Sequence, residues 1–165
     1  MKVKIKENAL NPCDVYLMKK ALGRDIFALG RPAARGVVID ENCYYQGFLG
    51  YSIDRLLGVA LIMSLRRGGI DALNVPIRYR DGNLLSLAEV AAKVKGQVTK
   101  GSEVLPVEVD VNLLHPMRVA FKTNAPEFSI ANGEGGGRIV GDRLDGHIWS
   151  DHEQAEYAYD YNNLL

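Results

Sequence analysis

SIDRLLGVALIMSLRRGG, residues 52–69, is the stretch on which the fold reading turns. Ile53, Leu56, Leu57, Ala60, Leu61, Ser64 and Leu65 recur at the spacing of one helix face. Val59, Ile62 and Met63 make the other faces apolar too, so a helix over about 53–67 is expected at the centre of the molecule, covered on most sides. Ser52 is the expected N-cap. Arg66 and Arg67 complement the negative end of the helix dipole, and Gly68-Gly69 ends the element.

Working outward toward the N-terminus, Asn11-Pro12 has the chemistry of a helix start. Asn11 would cap, Pro12 would fit the first turn, and Asp14 would meet the positive dipole end. Lys19 and Lys20 would close that helix, with Gly23 as its stop. Before it, Val3 and Ile5 alternate with lysines as in an exposed edge strand. After it, Val37-Val38-Ile39 is a short apolar strand.

Toward the C-terminus, Leu73, Val75, Ile77 and Tyr79 alternate with polar residues. Pro76 places that strand at an edge or a bulge. Ser86-Leu87-Ala88-Glu89 is a capping box for a helix to about Lys95, stopped by Gly96. Strands follow over 105–111 and 117–121. The polar faces of the three strands are basic, acidic and basic. Cross-strand charge pairing therefore predicts the acidic strand between the two basic ones, reached by a strand–helix–strand crossover. From Asn124 onward glycine rises and short strand-like pieces replace helix periodicity. The expected fold is α+β: a mixed sheet, two or three helices with 53–67 central and buried, a β-rich C-terminal part, and a single domain over 1–165.

Composition narrows the function classes. A chain of 165 residues with 47% hydrophobic and 24% charged residues can bury a core without staples. Twenty basic residues balance twenty acidic ones, which argues against a dedicated nucleic-acid binder and is permissive of self-association. Cys13 and Cys43 form neither a zinc motif nor a disulfide framework. The opening residues are not a signal peptide, and Leu56–Leu65 is too short to span a bilayer, so a cytoplasmic protein with no membrane partner is expected.

Three clusters carry candidate chemistry. Arg31 and Arg35 stand upstream of Asp40 and Glu41. Two guanidinium groups could clamp a phosphate or carboxylate, and carboxylates just past a strand end are candidate catalytic groups. Cys43 could join them as a nucleophile. The structural alternative is an ion-paired loop. Second, Asn132–Arg138 is glycine-rich. Its backbone N–H groups, at Gly135 and Gly136, could form an anion nest backed by Arg138, or the segment is a hairpin tip. Third, His147, Asp151 and His152, within a polar run that includes Asp142, Asp145 and Glu153, are candidate ligands for a divalent metal such as zinc, manganese or magnesium. No metal signature matches their spacing. No G-x-S-x-G elbow is present.

The expected function is that of a protein or enzyme binding a small anionic molecule, a nucleotide or phosphorylated metabolite. The competing expectation is a non-catalytic assembly subunit of a homo-oligomer or larger particle. Tyr157, Tyr159 and Tyr161 favour the latter, because in an extended tail they would form one aromatic strip suited to an interface.

Overall fold

The computed structural model describes residues 12–30, 39–107, 114–128 and 137–163. The segment after Pro12 is a strand, β1 (Cys13–Leu22), not the helix expected from Asn11-Pro12. Val15 and Leu17 are fully buried at period two, and β1 is the central strand of a three-stranded antiparallel sheet ordered β2-β1-β3. Local capping chemistry lost to that burial. Gly23 accordingly begins a helix, α1 (Gly23–Gly30), instead of ending one.

β2 (Tyr44–Phe48) and β3 (Ala72–Pro76) flank β1. β3 is an edge strand and Pro76 is its last residue, as a proline without an N–H requires. The expected alternation stops there. Ile77–Asp81 turns into a short helix, α3, which still buries Tyr79 completely.

Between β2 and β3 runs α2 (Arg55–Arg67). Its N-cap is Asp54, whose Oδ1 accepts the Leu57 N–H at 2.9 Å, so Ser52 lies outside the helix. Gly58, Leu61, Ile62 and Leu65 are buried, whereas Leu56 is 61% and Leu57 45% exposed. The expectation of a helix covered on most sides is corrected. A three-stranded sheet shields one face of α2, and that face joins Val15, Leu17, Ile26, Leu49, Tyr51 and Ala72 in one core.

The chain divides into two compact units. Among the described residues, one holds Pro12–Asp81 together with Glu153–Asn163, and the other is Gly82–His152. In the second unit α4 (Leu87–Lys95) has the expected capping box, reciprocal between Ser86 and Glu89, and ends at Gly96. It packs on an antiparallel sheet ordered β4-β5-β6, made of Val104–Pro106, Arg118–Thr123 and Gly137–Asp142. Val90 and Val94 approach β6 where Gly141 lacks a side chain. A Cβ there would stand 2.6 Å from Val90 Cγ1 and 2.7 Å from Val94 Cγ2. With Val119, Phe121, Ala125 and Ile139 they make this unit's core.

The charge-pairing expectation is also corrected. Arg78 and Arg80, which made the first of the three strands basic, lie on α3; β3 itself belongs to the first sheet, so it does not pair with β4, and the basic strand β5 is central in the second. The mixed sheet resolves into two small antiparallel ones.

The tail is helical, not extended: α5 (Asp151–Glu156) runs into a π-helical turn, Tyr157–Tyr161. Tyr157 and Tyr161 are buried with ring centroids 5.9 Å apart, while Tyr159 is exposed. The three tyrosines therefore form no common strip. Buried Asn162 then locks the tail down. Its Oδ1 accepts the Asn74 N–H at 3.0 Å and Arg66 Nη2 at 3.3 Å, and Arg66 Nη1 donates to its carbonyl. Among the described residues no helix is long and apolar enough to cross a membrane.

Candidate functional site

The β1–β3 ladder ends at Leu17↔Ala72, but β1 continues to Leu22. The space beside this overhang is bounded by the turn after α2, Gly68–Asp71. It is a cleft of about 400 Å³, lined by Lys19, Lys20, Asp25, Tyr44 and Asp71 with the backbone of Gly68 and Gly69. That volume lies within the range of about 300–1,000 Å³ typical of small-molecule sites.

Local sequence explains why two neighbouring lysines line one cleft. In a regular strand they would point to opposite faces. Here β1 pairs with β2 through Leu17↔Gly47 and then Ala21↔Tyr45, so extra residues are accommodated between Leu17 and Ala21. Such a bulge re-aims side chains. Gln46 Nε2 reaches across it to the Met18 carbonyl at 3.2 Å, and the Met18 N–H donates to the Asp71 carbonyl at 3.1 Å. Among the described residues neither lysine forms an ion pair with Asp25 or Asp71. Cations and carboxylates thus share the cleft without neutralising one another directly.

The second cluster lies in the other unit. Asp142, Asp145 and His147 each offer a ligand atom within 4.8 Å of the others. The turn after β6 builds this group. Asp142 Oδ1 accepts the Leu144 N–H at 2.7 Å, its Oδ2 accepts Trp149 Nε1 at 2.7 Å, and Asp145 Oδ1 lies 2.6 Å from His147 Nδ1. The same Asp145 oxygen accepts the His147 N–H at 3.0 Å. These bonds are those of a self-closed turn. Two carboxylates and an imidazole also have the donor chemistry for a divalent cation. Of the expected metal set, His147 is in this group. Asp151 and His152 are exposed residues opening α5.

Nearby, His115 Nδ1 accepts the Met117 N–H at 3.0 Å, and Arg143 Nη1 donates to the His115 carbonyl at 3.2 Å. Burial, reinforced by the charges of Arg118 and Arg143, pulls the pKa of the ring down to about 3.

Asp40 and Glu41, the expected catalytic carboxylates, lie in an exposed stretch. Asp40 Oδ1 accepts the Asn42 N–H at 2.8 Å, and the Arg24 N–H donates to the Glu41 carbonyl at 3.1 Å. Their hydrogen bonds are those of a turn. Asp40 hydrogen-bonds the Cys43 thiol and raises its pKa, which disfavours the thiolate a nucleophile needs. Cys13 is buried and its pKa is pushed up to about 12, chiefly by burial. Arg31 and Arg35 lie outside the described residues, as do Gly135 and Gly136. Arg138 is exposed on β6, opposite Lys122 of β5.

The cleft escapes the sequence reading because Lys19-Lys20 before Gly23 has the chemistry of a helix end. The available signal was the lysine doublet itself, which interrupts the alternation of Val15 and Leu17. No family model, no curated protein and no solved structure matches this chain.

Proposed function

We propose that the protein binds a small anionic molecule in the cleft beside the β1 overhang. The observation that carries this reading is the pair Lys19 and Lys20, brought to one cleft by the β1 bulge and unpaired with its carboxylates. Ammonium groups on flexible stems are general phosphate and carboxylate binders. The site is thus on the same β1–α1 side of the sequence as Arg31 and Arg35, but it does not depend on them. The reading covers a binding protein and an enzyme alike.

The test is calorimetric titration of the full chain with inorganic phosphate and sugar phosphates, alongside the Lys19→Ala/Lys20→Ala variant. Binding by the parent and its loss in the variant, with unchanged circular dichroism, supports the reading. Absence of heat with every anion removes it.

A second reading, assembly as a homo-oligomer, is favoured by one observation: Leu56 and Leu57 stand exposed side by side on α2. Light scattering of the parent and of Leu56→Glu/Leu57→Glu separates the two. A monomeric parent eliminates this alternative.

A further inference from the structure

We infer that the ligand of the cleft is a nucleoside monophosphate; this rests on the anion-binding reading and names its ligand class. The cleft offers three kinds of group, and each matches one part of such a molecule. Lys19 and Lys20 suit a phosphate. Asp25 and Asp71 are acceptors for sugar hydroxyls, which donate. Tyr44 supplies a flat aromatic face.

Tyr44 separates this class from simple phosphates. Its ring is 69% exposed although it lines a cleft. Its neighbour Tyr45 is half-buried, and the Tyr45 hydroxyl accepts the Asp40 N–H at 2.8 Å. Tyr16 and Phe48 meet edge to face at 4.8 Å. Among the described residues Tyr44 makes no such bond or ring contact, so its face is open to a planar group. Register places Tyr44 opposite Leu22. Tyr44 and Lys20 both line the cleft, so the ring and the ammonium group are within reach of one molecule.

Charge limits the number of phosphates. The lining carries two ammonium groups and two carboxylates, so it has no net positive charge to spare for a polyphosphate, and one phosphate held at the lysine end is the favoured load. A triphosphate would bring its additional charge against Asp25 and Asp71, where like charges repel.

The experiment titrates the full chain with ribose 5-phosphate, adenosine monophosphate and adenosine triphosphate, for the parent, Tyr44→Ala and Tyr44→Phe. The monophosphate should bind about tenfold tighter than ribose phosphate, as stacking on an aromatic face predicts, and tighter than the triphosphate. Tyr44→Ala should remove that advantage, bringing the monophosphate to the affinity of ribose phosphate in the same variant, while Tyr44→Phe should keep it. Equal affinity for ribose phosphate and the monophosphate overturns the ring assignment and leaves the anion reading standing. A tighter triphosphate overturns the charge count. No binding of any of the three overturns the inference and the anion reading together. Thermal midpoints of the variants, expected to match the parent because Tyr44 is exposed, guard against misfolding.

Discussion

Asp14 and Arg80 meet at 3.1 Å in the interior edge of the first unit, the carboxylate fully buried and the guanidinium partly so. Asp14 does more than pair. It also accepts the N–H groups of Val15 at 2.7 Å, Gly50 at 2.9 Å and Tyr51 at 2.8 Å. Arg80 continues to the Tyr51 carbonyl at 2.7 Å. The pair thus ties β1, the segment after β2 and α3 together.

Asp14→Ala is expected to cost about 3–5 kcal/mol, because it strands the backbone donors of Val15, Gly50 and Tyr51, while Arg80 keeps its ion pair with Asp81. Asp14→Asn should also destabilise, since its NH₂ group would face N–H donors that need an acceptor. Urea unfolding measures both. A loss under about 1 kcal/mol for Asp14→Ala would show the network to be replaceable by water.

Gly58 of α2 leaves no room for a side chain. A Cβ there would run into the amide of Asn74, whose Nδ2 is held by the Arg55 carbonyl at 3.0 Å. Gly58→Ala should therefore destabilise by about 1–3 kcal/mol, despite the better helix propensity of alanine. Combining it with Asn74→Ala should cost less than the sum of the single changes, a coupling that a double-mutant cycle reads directly.

Leu57 and Leu61 are one turn apart on α2 and should respond differently. Leu61 is 4% exposed and Leu57 45%. Leu61→Ala should cost about 2–5 kcal/mol, and Leu57→Ala under about 1 kcal/mol. Equal losses would show that something covers the outer face of α2 in solution.

His115 predicts a pH dependence. Its folded pKa of about 3 lies below the ordinary 6.5. Between those values the unfolded chain carries a proton that the folded chain refuses, so stability contributed by this group falls as pH drops from 6.5 toward 3. Above 6.5 both states are neutral and the contribution is flat. His115→Asn retains an acceptor for the Met117 N–H without titrating. The slope of unfolding free energy against pH near 4.5 should be shallower in the variant by about 1.4 kcal/mol per pH unit. Identical slopes would mean that the ring protonates freely in the fold.

Where one local signal and the burial pattern agreed, the fold was legible in the residues. The capping box at Ser86 and Glu89, the stop at Gly96, the edge position signalled by Pro76 and the α+β class all come from short-range chemistry that the tertiary structure leaves in place. The errors have one physical source. Asn11-Pro12 is sound helix-start chemistry, yet Val15 and Leu17 gain more by lying in a sheet between two neighbours. Tyr157, Tyr159 and Tyr161 have period two, yet Tyr157 and Tyr161 also have helical spacing, and only contacts with distant residues such as Arg66 and Asn74 choose between the periods. The cleft is least legible, because it arises from a difference in strand length: β1 outruns β3. No single residue encodes that.

The division of the chain has a consequence for the order of events during synthesis. Among the described residues Gly82–His152 is one continuous segment, and its sheet pairs strands from that segment alone. The other unit is split around it. Asn162, which satisfies the Asn74 N–H and binds Arg66, emerges from the ribosome only after the whole intervening unit has been made. The second unit in the chain is therefore free to fold first, while the earlier-made strands wait with the Asn74 amide unsatisfied. The first unit is the one exposed to misassembly and to chaperones in the interval, since its last polar contacts have the greatest sequence separation.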